Sequence, residues 1–364
     1  METQNLIYLI SCAANGVKPD PERVAGMDME AIYTLVSRHM LAATVAPALK
    51  AAGIQDKRFA KALEHSALKN STMDMEMDAL FAELDAAGIW HMPLKGIVLQ
   101  HLYPVYGMRQ MSDHDILFDA NRAKDVKSIM EGLGFSAEYF GTGNHDVYHK
   151  EPVSNFEMHR ELFGSSHEEK LYEYYKDVEK RLLGNGYEKY LSPEDFYLYV
   201  TAHEYKHYTG GGTGLRSVVD TYVYLQKTKL DMDYVTAEAE KLGMVEFEAA
   251  NRSLAQHLFS GGKLTEADRQ MLEYILSSGV YGTFGRRVEN TMSKHGWGKI
   301  GYALNRFFVP VSRKNKDYAA YAGMYPLFYK YKILLPLLPF YRTFRAMKAG
   351  RFQAEAKAIK NAKR

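Results

Sequence analysis

Two aspartates one residue apart, Asp113 and Asp115, are the residues whose spacing first points to chemistry. Side chains of an extended strand alternate between faces, so the pair shares a face, about 7 Å apart along the chain. Apolar Ile116, Leu117 and Phe118 follow. Two carboxylates heading such a strand repel each other unless a cation lies between them, and Mg²⁺ takes one or two carboxylates together with substrate phosphates. The same alternation sets Glu157 and His159 on one face of a later strand over 155–162, where Glu157 completes a three-carboxylate site if the two strands are neighbours. Spacing alone is weak support, because 44 acids in 364 residues give about five acid-x-acid pairs by chance.

A second motif competes. His203-Glu204-Tyr205-Lys206-His207 matches H-E-x-x-H, in which two histidines on one helix face ligate zinc and the glutamate serves as base. Chance supplies only about 0.06 such matches in a chain of this composition, even with Asp allowed in second place. Thr213 stands where the extended pattern wants a third histidine, and Asp220, the nearest downstream acid, is closer than the usual third ligand. A zinc peptidase and a polar contact between helices are both readings of this motif.

The elements that must position these residues follow from periodicity. Residues 1–88 read as a helical block, with stripes Ile32, Leu35, Val36, Met40, Leu41 over 29–53 and Leu63, Ala67, Met73, Met77, Leu80, Leu84 over 59–88. Methionines in such stripes are adaptable core fillers. Residues 89–165 read as a small α/β unit: strand 89–94, helix 96–102, strand 113–118, helix 123–133, then extended runs around Tyr139, Val147 and Phe156. Residues 166–296 return to helix (193–208, 215–228, 232–243, 245–259 and 266–277), and 297–364 form a basic, aromatic tail ending in a basic helix over 346–364. The expected class is α+β, a small sheet clasped between helical blocks.

Composition narrows the function. Hydrophobic residues at 46% and charged residues at 25% are those of a globular protein. A single cysteine, Cys12, excludes a disulfide framework and a Cys-clustered metal site and points to a reducing, cytoplasmic setting. No apolar run reaches the roughly 18 residues of a membrane span, the run 333–341 being broken by Pro336 and Pro339. The apolar stretch 6–14 lacks the basic flank of a signal peptide. The net charge of +2 hides +9 over residues 328–364 against −7 for the rest. An acidic body excludes an extended nucleic-acid surface, whereas the tail is suited to an anionic membrane, as a peripheral contact, or to an acidic partner.

Leu94-Lys95-Gly96, Tyr103-Pro104, Arg109-Gln110-Met111-Ser112-Asp113-His114-Asp115-Ile116-Leu117 and Phe156-Glu157-Met158-His159, followed by His203, His207, Leu215-Arg216 and Asp220, resemble the bacterial uncharacterised nucleotidyltransferases of the DNA polymerase beta-like superfamily, over roughly residues 25–260. The resemblance implies a small polymerase-beta-like mixed-sheet palm embedded between helical N- and C-terminal blocks. It also implies transfer of a nucleoside monophosphate from NTP to an acceptor, a small molecule or a protein, with two Mg²⁺ ions. On that basis Asp113 and Asp115 hold the ions, and Glu157 binds the ion that activates the acceptor hydroxyl or acts as its base. Lys95, Gly96 and the helix start after them meet the triphosphate, and Arg109 offers a fork to a phosphate. Ser112 and His159 join the substrate site, His159 also orienting Glu157, and His207, Arg216 and Asp220 contact nucleotide or acceptor. Where the superfamily carries Gly-Ser this chain has Lys95-Gly96, without the serine contact to phosphate. A non-catalytic interaction protein on the same fold is the alternative reading.

Overall fold

The computed structural model describes every residue except 142, 166–168, 281, 313–317, 349–350 and 363–364. Helix α1 (Glu2–Ala14) turns Leu6, Leu9 and Ile10 inward. Asp20 and Asp28 accept backbone N–H bonds at the starts of α2 (Pro21–Ala25) and α3 (Met29–His39). The helix expected over 29–53 is two helices, because Met40 takes a left-handed backbone (φ 53°, ψ 48°) that ends α3 before α4 (Ala42–Ala51) begins. Asp56 then caps the 30-residue α5 (Lys57–Ala86).

The sheet unit follows as β1 (His91–Pro93), α6 (Gly96–Gln100), β2 (His114–Phe118), α7 (Ala123–Gly132), β3 (Ser136–Tyr139), β4 (His145–Lys150) and β5 (Ser154–His159). Strand order is β1-β2-β5-β4-β3, parallel between β2 and β5 and antiparallel elsewhere. Asp113 precedes β2 by one residue.

Helices α8 (Glu169–Tyr175), α9 (Pro193–Gly210), α10 (Leu215–Lys227), α11 (Met232–Leu242), α12 (Val245–Phe259) and α13 (Glu266–Ser278) come next. Alternation sorts the two faces of the sheet. Ile116, Phe118, Phe156 and Met158 pack on Met73, Leu80 and Leu84 of α5 and on Val126 and Met130 of α7. Leu117 faces the other way, into a cluster with Leu198, Tyr199 and Ala202 of α9. A third cluster joins Leu6, Ile32 and Val45 to Val218, Leu254 and Ile275, so the helices before and after the sheet share one core.

The chain ends in α14 (Phe284–His295), α15 (Lys299–Phe308), α16 (Tyr318–Met324), α17 (Pro326–Lys330), α18 (Leu338–Lys348) and α19 (Arg351–Asn361). The helix expected over 346–364 is thus the end of α18 and then α19, while 349–350 and 363–364 lie outside the described residues. α19 folds back on α14, with Ala358, Ile359 and Ala362 packed against Val288 and Met292. Among the described residues no helix is long and apolar enough to cross a membrane.

Candidate active site

Parallel pairing of β2 with β5 places Asp115 opposite Glu157 on adjacent strands, and Leu117 opposite His159. Asp115, Leu117, Glu157 and His159 therefore share the sheet face that looks toward α9. His114, between the two aspartates, points to the opposite face, where its Nε2 lies 2.9 Å from Oδ1 of Asp74 on α5. Asp74 also accepts from Gln100 Nε2 (3.0 Å) and Tyr106 OH (2.7 Å). Lys69 Nζ donates to the Ser112 carbonyl at 2.8 Å, and Asn70 Nδ2 donates to the Arg109 carbonyl at 3.0 Å. One face of α5 thus staples the segment that delivers Asp113 and Asp115. Sequence reasoning missed Lys69, Asn70 and Asp74; the available signal was polar side chains on the inward side of a methionine-striped helix.

Charge is concentrated on one oxygen. Lys95 Nζ lies 2.7 Å and His159 Nε2 2.8 Å from Asp115 Oδ1. His159 Nε2 is also 3.5 Å from Glu157 Oε2, and His145 Nε2 reaches the same oxygen at 3.6 Å from the other side. Burial works against the Asp115 charge, but Lys95 and His159 outweigh it and hold the carboxyl well below the usual range. The hydrogen bond from His159 likewise lowers Glu157. Burial opposes a charge on His159 too, yet its two carboxylate partners raise it. Asp113 is pushed up to about 6, by burial and then by the charges of Asp115 and Glu157. Asp115 is buried, whereas Asp113, Glu157 and His145 are half-exposed, so the cluster opens to solvent on their side. His145 was not anticipated; it lies on β4, and only the β4–β5 pairing brings it to His159.

Lys95 sits in a positive-φ backbone (φ 42°, ψ −112°), a conformation that costs a non-glycine residue about 1–3 kcal/mol and persists where its surroundings enforce it. Its contact in the structure is Asp115, an ion pair across the mouth of the site. Gly96 is explained by packing: a Cβ there would collide with Arg109 Nη1 and with the Met111 thioether.

Arg109 and Asp220, expected at the substrate, are bound to each other. The guanidinium grips the carboxylate through Nε–Oδ1 at 2.8 Å and Nη2–Oδ2 at 2.9 Å, and Tyr103 OH donates to Oδ1 at 2.7 Å. All three are buried, and the grip ties the palm to α10. Arg216 donates through Nη1 to the Gln110 carbonyl at 2.8 Å while its charge still acts on Asp113. Both arginines therefore position the loop before β2.

The H-E-x-x-H helix is α9. His203 and His207 lie with their Nε2 atoms 3.3 Å apart, and burial drives His203 well below the imidazole range. Glu204 turns the other way, into the helical core, where Asn251 Nδ2 donates to its Oε2 at 3.0 Å. Burial pushes it up to about 7. A zinc-peptidase base would have to stand beside the two histidines, and this one is committed to α12. Among the described residues, the group of three that could hold a metal is His145, Glu157 and His159, with ligand atoms within 4.8 Å of one another. Two donor sets thus share Glu157, one of carboxylates and one mixed.

The family model described as uncharacterised nucleotidyltransferase matches residues 25–260, which include every element around this cluster. Nothing matches among curated proteins or solved structures.

Proposed function

Because the chain belongs to the uncharacterised nucleotidyltransferase family, we propose that it moves a nucleoside monophosphate from an NTP to an acceptor hydroxyl or phosphate and releases pyrophosphate, with two Mg²⁺ ions as cofactor. The observation that carries this reading is the β2–β5 register, which sets Asp115 beside Glu157 with Asp113 one alternation upstream. The donor set fits a hard dication, since Asp113, Asp115 and Glu157 are carboxylates, and the charges of the other two add to burial in raising Asp113. Bound there, the ions would polarise the transferred phosphoryl group and lower the pKa of the acceptor hydroxyl.

The protein's own groups divide the remaining work. Lys95 neutralises Asp115 in the free protein; released from it, its ammonium, at the N-cap of α6, would meet the triphosphate. Glu157, held low by His159, is a good ligand and a poor base. His145, lowered by burial and half-exposed beside Glu157, is neutral near pH 7 and is the better acceptor for the hydroxyl proton. His203 and His207 look across from α9 toward the same face and would meet the nucleotide or acceptor.

The Lys95–Asp115 ion pair favours a second reading, a non-catalytic interaction protein in which the lysine replaces the metal. Incubation with each labelled NTP and Mg²⁺ or Mn²⁺ separates the two. Pyrophosphate release that is lost in Asp115→Asn supports transfer. NTP binding without any metal dependence or turnover supports the second reading.

A further inference from the structure

We propose that the C-terminal helices dock this protein on an anionic lipid bilayer. Three neighbouring elements carry apolar side chains that face solvent. On α15, Ile300, Leu304 and Phe308 recur every fourth residue, 53–77% exposed. On α18, Phe340, Phe344 and Met347 form a second stripe, 58–66% exposed. Between them in the chain, Leu327 of α17 and Ile333 in the turn after it are 66% and 86% exposed. The two stripes adjoin, because the Phe307 ring next to Phe308 packs edge-on against Phe340 with centroids 5.2 Å apart. Exposed apolar residues scattered singly need no explanation, whereas a joined patch of this kind marks an interaction surface.

Charge selects the occupant. From Tyr318 to Lys348 the chain has Lys330, Lys332, Arg342, Arg345 and Lys348 and no acid. Lys330, Lys332, Arg345 and Lys348 are exposed among the apolar side chains. A second copy would set this positive surface against an identical one. A bilayer with anionic headgroups meets both features together, taking the apolar tips at the headgroup boundary and the cations in the headgroup layer. With no helix among the described residues long enough to span, the contact is peripheral. The patch lies beyond the residues matched by the family model, so it is independent of the nucleotidyl-transfer reading.

The test is sedimentation of the full chain with phosphatidylcholine vesicles containing 0 or about 30% phosphatidylglycerol, at low and high salt. Binding is expected only to the anionic vesicles and should fall steeply with salt. Lys330→Glu/Lys332→Glu should weaken it at least about tenfold. Leu327→Ser/Ile333→Ser/Phe344→Ser changes only exposed side chains and should weaken it comparably without changing the melting temperature. Absence of binding at low salt, or equal binding by all three proteins, overturns the proposal. So does concentration-dependent self-association that the serine variant abolishes while vesicle binding stays intact, since the apolar patch would then serve a second copy. Binding to acidic polypeptides but not to vesicles would assign the patch to a protein partner instead.

Discussion

Asp220 and Asp113 are both acids beside the segment that leads into β2, and their surroundings are opposites. Asp220 is buried and answered in full, by two guanidinium nitrogens of Arg109 and the hydroxyl of Tyr103. Asp113 keeps some exposure and has two further carboxylates for neighbours, whose charges add to burial in pushing it up to about 6. At Asp220 a charge pair is spent on architecture, joining palm to α10. At Asp113 the protein leaves the charge balance incomplete, in the manner of a site that waits for a cation. Lys95 makes the contrast sharper, because it closes Asp115, the neighbouring acid, from a strained backbone position while Asp113 is left to its carboxylate neighbours.

Breaking the closed site should have the largest effect. Arg109→Met leaves the Asp220 carboxylate buried without its cation and should cost about 3–5 kcal/mol of stability. Urea unfolding measures this, and Arg109→Met/Asp220→Asn should recover part of the loss. A loss below about 1 kcal/mol would show that the pair is not architectural.

Glu204 offers a third kind of acid, buried and held up to about 7 with one amide partner. Its folded pKa lies above its unfolded value near 4.5. The unfolded state therefore releases its proton first as pH rises. The acid's contribution is fully present below about pH 4.5, declines through the window from there to about 7, and levels off about 2–4 kcal/mol lower. Glu204→Gln should flatten that part of the stability profile, measured by urea unfolding between pH 4.5 and 8. An unchanged slope would mean that the carboxyl is not desolvated.

The open site should respond to ligand. Mg²⁺ with NTP at a hundredfold excess over its dissociation constant should stabilise the protein by about 2.7 kcal/mol. Asp113→Asn should lose most of that gain in thermal melts, while its metal-free stability stays level or rises as the repulsion is relieved. Equal ligand shifts in both proteins would remove Asp113 from the site.

The smallest expected effect is on zinc. Elemental analysis should find no stoichiometric zinc, and His203→Ala should change nothing in metal content. One zinc per chain, lost in that variant, would make α9 a metal site after all.

Much of the sheet was legible because strand alternation is local. The apolar run after Asp115 fixes which side chains share a face, whatever the strand pairs with. The same logic kept Asp113 with Asp115, and Glu157 with His159, on common faces. One local feature misled, since Met40 fits an apolar helical stripe but breaks the helix by its backbone, and one left two readings open, since H-E-x-x-H has the spacing of a zinc site while Glu204 faces the core.

By itself the sequence determined the α+β class, the faces of the two strands that carry the acids and the family, since these depend on periodicity and on residue types a few positions apart. Only the tertiary structure decided that β5 lies beside β2, that His145 joins the cluster from β4, and that Arg109 answers Asp220 across 111 residues. It also decided that Lys95 closes on Asp115 in place of a free approach to phosphate. An arginine or an aspartate carries no local mark of its partner. Burial compels the pairing, because a desolvated charge must find its opposite somewhere in the fold, and which one it finds is set by how the elements pack.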